Sequence, residues 1–269
     1  MGVSGQVTFT LDLEDHRPSA DAEERYPAVT RSVLDFLDTR GVRGTFFVVG
    51  ETAAAQPGLV QEVAARGHEI GLHGWRHQPL TELQPDAFRA DVRRGKTLLE
   101  DLTGTPVVGF RAPTFSLVPD SRWATDVLTE VGFSYSSSVL PARSPLFGDP
   151  TVSTAPFRWP SGLVELPCPV VRARGIGLPY LGGVYLRAIP GPASAAARRA
   201  VGRGQMLWIY CHPYDFDPDE EFWVVPDAGR LGSRLLWYNR RRTFAKVEAV
   251  LRGRAGPPLA ERLSEVTTA

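Results

Sequence analysis

The chain has 269 residues, of which 43% are hydrophobic and 22% charged. That is enough apolar sequence to bury a sizeable core, and too much for a disordered chain. Lys and Arg number 30 against 30 Asp and Glu, so the basic excess of a general nucleic-acid binder is missing. The two cysteines, Cys168 and Cys211, lie far apart, which excludes a disulfide scaffold and zinc-finger spacing.

The opening residues MGVSGQVTFTLDLEDH carry neither a basic region nor a long apolar run. They read as no signal peptide, and no stretch reaches the roughly 18 apolar residues of a membrane-spanning helix. The expected setting is the cytoplasm, with both cysteines reduced. Strand and helix then alternate. Val7–Leu13 places Val7, Phe9, Leu11 and Leu13 on one face and Thr8, Thr10 and Asp12 on the other. Tyr26–Arg40 has helical apolar spacing and stops at Gly41. Gly44–Gly50 reads as a buried strand, Gly58–Arg66 as a helix and Glu69–His73 as a short strand. Pro85–Leu102 is a long amphipathic helix. Val107–Arg111, Ser121–Val131 and Phe133–Ser137 follow as strand, helix and strand. Ser138–Leu163, punctuated by prolines, reads as a long surface excursion. Leu163–Pro167 is a candidate strand, Pro192–Val201 an Ala-rich helix, Gln205–Cys211 a strand, Leu235–Leu251 a last helix and Gly253–Ala269 a tail. Repeated strand–helix units predict a parallel α/β architecture, an irregular barrel, with active residues at the carboxyl ends of the strands.

Four segments put polar chemistry at such ends. Asp12, Glu14 and Asp15 crowd three carboxylates behind an apolar strand, which is costly unless something positive sits among them. His73 and His77 stand four apart; on a helix both rings would share one face and suit two nitrogen ligands of one metal ion. Arg111 ends a strand and can clamp a carboxylate. His212, held by Pro213 at the end of an apolar strand, suits acid–base work near neutral pH. Its neighbour Cys211 points to the opposite face and is a poor nucleophile candidate. Loop aromatics, Tyr214 among them, suit stacking on sugars. No nucleophile elbow, phosphate-binding loop or dinucleotide fingerprint is present.

The ordered set GTFFVVGE, GHEIGLHGWRH, GFRAPTFS and YCHPYDFDP resembles the polysaccharide deacetylases with the NodB homology domain (carbohydrate esterase family 4), over roughly residues 7–218. The Asp-x-Glu-Asp first motif, the runs 135–141 and 182–187, and the terminal 238–243 resemble the subfamily associated with exosortase and exopolysaccharide loci. The resemblance implies a distorted (β/α)7 barrel, forming a single domain over 1–252 with a subfamily extension at 219–252 and a flexible tail at 253–269. It implies a metal-dependent hydrolase removing acetyl groups from N-acetylated sugars. His73 and His77 match two metal ligands, Arg111 the arginine that orients the catalytic carboxylate, and His212 the general acid. Pro113 and Phe115 fall where the family's loop borders the substrate. The family's two adjacent aspartates are replaced here, and two assignments follow. Asp12 is the base with Asp15 (or Glu14) as metal ligand, the preferred reading, or the Glu14–Asp15 pair takes both roles with Glu14 as base. Alternation puts Asp12 and Glu14 on one face, which keeps Glu14 open as the ligand.

Two histidines and a carboxylate leave an open coordination position. Zinc is the expected ion, and cobalt, nickel and manganese suit the same donors. The rival readings are a metal-independent amidohydrolase of the same fold, of the allantoinase-like kind, and a non-catalytic carbohydrate-binding protein. Neither the sugar nor the oligomeric state is written in the sequence.

Overall fold

The computed structural model describes residues 5–144, 146–173, 176–191, 193 and 204–266. In chain order the strands are β1 (Val7–Leu13), β2 (Gly44–Val48), β3 (Glu69–Leu72), β4 (Gly109–Phe110), β5 (Tyr135–Ser136), β6 (Phe157–Arg158), β7 (Val164–Glu165), β8 (Val171–Ala173), β9 (Ile176–Leu178) and β10 (Leu207–Cys211). The helices are α1 (Tyr26–Asp38), α2 (Gly50–Ala55), α3 (Pro57–Ala65), α4 (Pro85–Thr103), α5 (Ala124–Val131), α6 (Gly183–Ala188), α7 (Gly229–Trp237) and α8 (Thr243–Leu251). Eight strands form one sheet in the order β10-β1-β2-β3-β4-β5-β7-β6. All pairs are parallel except β6 with β7. The α/β fold expected from the sequence is the one observed.

The sheet curls. Strands three positions apart in a flat sheet are separated by about 14 Å. Yet Arg111, just beyond β4, donates from Nη1 to Thr10 Oγ1 in β1 at 2.8 Å, three places away in the sheet. The period-two pattern of β1 follows from this curl. Val7, Phe9, Leu11 and Leu13 lie in the core that the helices cover. Thr8, Thr10 and Asp12 are equally buried but face the concave interior, where polar partners await them. Similarly, Phe46 belongs to the helix-covered core and its neighbour Phe47 to an inner cluster with Tyr135, Trp208 and Leu259. The polar face of β1 is therefore the lining of the half-barrel and not a solvated surface.

Three expectations change and a fourth lies outside what the structure describes. Ser138–Leu163 is not wholly a surface excursion, because Ser138, Val139, Leu140 and Ala142 are buried and the segment contributes β6. The helix expected over Pro192–Val201 falls almost wholly outside the described residues. The last helix is broken into α7 and α8: Asn239 sits in the left-handed region (φ 60°), which asparagine tolerates better than most residues, and a 3-10 turn over Arg240–Arg242 follows. The tail is no tail. Gly256 N–H donates to Val7 O at 3.0 Å and Val7 N–H to Arg254 O at 2.7 Å. Leu259 is fully buried, and its N–H donates to Thr45 Oγ1 at 2.9 Å. Ala260 N–H donates to Glu69 Oε2 at 3.0 Å. The buried Arg262 reaches Leu207 O at 3.0 Å. These partners sit at the amino ends of β1, β2, β3 and β10, so residues 254–262 close the floor of the half-barrel. Glycine, proline and charge in this stretch imitate a linker, while single anchors without periodicity do the packing.

Truncating Leu259 to alanine is expected to cost about 2–5 kcal/mol, read as a lower urea midpoint with an unchanged slope.

Candidate active site

Because the strands are parallel, their carboxyl ends form one rim, and the strand-end candidates other than Asp15 reach it. β1 delivers Asp12 and Glu14, the turn after β3 His73 and His77, β4 Arg111, and β10 His212. The centre is an ion pair. Arg111 is fully buried and donates from Nη1 to Asp12 Oδ1 at 2.6 Å. It also donates from Nη2 to Ser137 Oγ at 3.2 Å and from Nε to Ser137 O at 3.3 Å. Its guanidinium carbon lies 4.1 Å from the ring centroid of Phe47 and 4.4 Å from that of Trp208, the geometry of cation–π stacking. Phe47 has room because its neighbour in β3 is Gly71, where a Cβ would come within 2.7 Å of the ring.

The other oxygen of Asp12 faces two histidines. Oδ2 is 3.8 Å from His73 Nε2 and 3.9 Å from His212 Nε2. His73 donates from Nδ1 to the carbonyl of Arg111 at 2.8 Å. That bond fixes the tautomer and leaves Nε2 with its lone pair toward the rim. Burial holds the His73 pKa down near 4, so the ring is neutral at ordinary pH. His77 Nε2 lies 2.7 Å from Glu14 Oε2. Burial pushes the Glu14 carboxyl up, but the attraction of His77, His212 and His73 outweighs it and holds the pKa well below the usual carboxylate range.

Glu14, His73 and His77 bring one donor atom each to within 4.8 Å of one another. His73 Nε2 is buried without a hydrogen bond, a state that normally calls for an ion or water, and Glu14 Oε2 has the His77 ring beside it. Two imidazole nitrogens and a carboxylate oxygen fit a divalent cation with an open position. The preferred sequence reading gave the carboxylate role to Asp15. Its carboxylate instead turns outward and accepts from Arg17 Nε at 2.7 Å, and it stands outside the Glu14–His73–His77 group. The histidine pair is not helical either. His73 follows β3 directly, Gly74 turns the chain with φ +76°, and the loop returns His77 with the two ring centroids 5.1 Å apart.

His212 is tuned by groups the sequence reading passed over, although Asp215 stands in the quoted YCHPYDFDP run. His212 Nδ1 lies 3.1 Å from Asp215 Oδ2, and the same oxygen accepts the His212 backbone N–H at 2.8 Å. Asp215 is buried against Arg187, with Nη2 to Oδ1 at 2.9 Å. Burial disfavours the imidazolium, but the Asp215 hydrogen bond and the charges of Glu14, Asp215 and Asp12 overcome it and raise the His212 pKa to about 9. Tyr214 stacks on His212 at 4.7 Å and 7°. Pro113 is buried, and Thr114 and Phe115 adopt left-handed φ of 56° and 55°. Such strain is held by its surroundings, here the Phe115 ring against Tyr210 at 5.1 Å. Cys211 is buried, and burial pushes its thiol well above the ordinary range, which leaves no nucleophile there.

The rim thus brings together a buried carboxylate, a charged histidine and a two-histidine, one-carboxylate set that fits a divalent cation, groups of the kinds that metal-assisted hydrolysis uses. Residues 10–135 match the family model "Polysaccharide deacetylase". Residues 137–255 match a domain of unknown function (DUF3473). A peptidoglycan-N-acetylglucosamine deacetylase of Bacillus cereus is 32% identical over 36% of this chain and 36% of its own length, so the chain spans well under half of that relative. A Mycobacterium smegmatis crystal structure assigned to the polysaccharide deacetylases superposes with a TM-score of 0.62 at 21% identity, covering 98% of this chain and 93% of that one. A CE4-family pseudoenzyme of Bacillus anthracis superposes with a TM-score of 0.51 at 13% identity, covering 96% and 65%. The structural likeness shows the fold, and a pseudoenzyme among the neighbours means that activity must be argued from the rim itself.

Substituting Asp215 with asparagine is expected to move the His212 pKa down from about 9, read from the ring resonances in an NMR titration of metal-free protein.

Proposed function

We propose that the chain is a metal-dependent carbohydrate N-deacetylase. The observation that carries the reading is the position of Asp12, whose free oxygen lies between His73 and His212 at 3.8 and 3.9 Å, beside the unsatisfied Nε2 of His73 and the Glu14–His77 pair. Glu14, His73 and His77 hold the divalent ion, with zinc the first choice and cobalt, nickel and manganese compatible. When bound, the ion supplies a Lewis acid at the acetyl carbonyl and a more acidic water.

The chain's own residues do the proton work. Asp12 accepts a proton from the attacking water, and Arg111 holds that carboxylate in place through one oxygen while leaving the other free. His212, charged below about pH 9, donates from Nε2 to the departing amine, which is a poor leaving group without it. Asp215 fixes the ring from the far side, and Tyr214, held between the rings of His212 and His16, braces the histidine and has no free face for the sugar stacking expected from the sequence. Pro113 and Phe115 border the same rim. The peptidoglycan deacetylase relative supports an N-acetylated sugar as substrate. The second matched stretch, 137–255, covers the runs that resemble the exopolysaccharide-locus subfamily and supports that placement.

Elemental analysis after incubation with zinc is expected to find near-stoichiometric metal in the parent protein and in Asp15→Ala, and little in Glu14→Ala or His73→Ala. Metal retained by Glu14→Ala and lost by Asp15→Ala would reverse the ligand assignment. Asp12→Asn is expected to keep the metal and to release acetate from acetylated amino sugars about a hundredfold or more slowly. Unchanged acetate release by that variant would remove Asp12 as the base.

A further inference from the structure

Eight large hydrophobic side chains are exposed among the described residues, and five of them cluster on α7 and its flanks: Phe222 (44%), Val224 (42%), Leu231 (75%), Leu235 (49%) and Tyr238 (53%). Scattered single exposures need no explanation, but a concentrated patch does. Leu231 and Leu235 are one helical turn apart and form a stripe. Arg230 and Arg234 form a second stripe about 100° around the helix. Arg241 and Arg242 follow in the turn after α7, and all four arginines are exposed. None of the four guanidinium groups makes an ion pair or hydrogen bond among the described residues. Many surface arginines elsewhere are paired, as Arg66 is with Asp35, Asp38 and Glu62, and Arg89 and Arg93 with Glu130, while Arg143 and Arg254 stand singly among the described residues. The helix itself has no acidic residue; Asp219, Glu221 and Asp227 precede it in the sequence.

The inner face of the same helix is fully used. Ser233 is buried and accepts from Val225 N–H at 2.9 Å. Leu236 O accepts from Arg187 at 2.9 Å. Trp237 packs against Trp223 and His16 at 6.0 and 5.9 Å, and His16 packs on Tyr214 at 4.2 Å. The helix is thus bound to the chain through the groups that support His212, while its apolar stripe and its uncompensated charge face outward.

We propose that the outer face of α7 docks on a membrane surface carrying anionic lipid headgroups. Exposed leucine and aromatic side chains enter the interfacial region, and the adjoining arginines meet the headgroup charge. Neither signal suffices for a helix of nine residues, and the two together are the combination that holds peripheral proteins at an interface. Docking in this orientation sets the His212 side of the rim near the lipid surface, where a lipid-carried sugar would be presented. That consequence rests on the deacetylase reading; the docking does not.

The test is co-sedimentation of the full chain with vesicles, which involves no substrate, so its failure is separable from failure of the proposed activity. The chain is expected to sediment with vesicles of phosphatidylcholine containing roughly one-third phosphatidylglycerol and to stay in the supernatant with phosphatidylcholine alone, with binding weakened by salt. Arg230→Ser with Arg234→Ser is expected to weaken binding about fivefold for each arginine, the equivalent of about 1 kcal/mol per basic residue at an anionic surface. Leu231→Ser with Leu235→Ser is expected to weaken it at least as much. Both pairs are at exposed positions, and circular dichroism checks that they stay folded. No sedimentation of the parent chain, or binding undiminished in both double variants, overturns the proposal. So does a dimer seen by light scattering that Leu231→Ser with Leu235→Ser abolishes, which would assign the face to a second copy.

Discussion

A guanidinium group with no exposure to water organises this protein. Taking a cation out of water costs several kcal/mol unless its charge and its donors are all met, and Arg111 is fully buried. Its needs are met from four directions: Asp12 and Thr10 on β1, Ser137 after β5, and the aromatic faces of Phe47 on β2 and Trp208 on β10. The sheet has to curl for these groups to converge, and the curl brings the strand ends into one rim. The same residue also sets the neighbouring histidine, since the backbone carbonyl of Arg111 accepts from His73. One residue therefore orients the carboxylate with its side chain and the His73 imidazole with its main chain.

The opposite wall is built on a second buried charge chain, from His212 to Asp215 to Arg187. Its physical role differs. The Arg111–Asp12 pair immobilises a carboxylate, whereas Asp215 keeps an imidazole charged inside a buried setting that would otherwise discharge it. The two walls come from the two matched stretches of chain. Residues 10–135 carry Asp12, Glu14, His73, His77 and Arg111, and residues 137–255 carry Ser137, Arg187, His212 and Asp215. The site is complete only when both are folded around it.

Much of this was legible in the residues. The two-residue period of β1 and the apolar runs of β2 and β10 place the strands, and polar groups just beyond strand ends place the rim. Alternation also held the clue to the donor set: Asp12 and Glu14 share a face of the strand while Asp15 lies past its end, free to turn out to Arg17. What stayed hidden depends on closure in three dimensions. Thr10 and Asp12 look solvated until the sheet curls over them. His73 and His77 look helical because four residues match one helical turn, and a glycine-led loop can span the same distance. Residues 254–262 look like a linker because Leu259 and Arg262 anchor the floor singly, with no repeat for a pattern to register. Asn239 splits the last helical segment because its left-handed backbone interrupts an apolar spacing that otherwise continues.

The floor has a bearing on how the chain reaches its native state. Strand β1 is synthesised long before some of its partners: Thr10 bonds to Ile209 across 199 residues and Thr8 to Pro257 across 249. Contacts of such sequence separation carry a large loop-closure cost before they return any stability, and they slow folding. Until residues 207–262 emerge from the ribosome, β1 lacks one of its two neighbours, and the buried hydroxyls of Thr8 and Thr10 lack their carbonyl acceptors. The nascent chain thus holds an unpaired strand edge while residues 14–206 are made, a state prone to wrong pairing and aggregation. Maturation of this fold is gated by the arrival of residues 207–262.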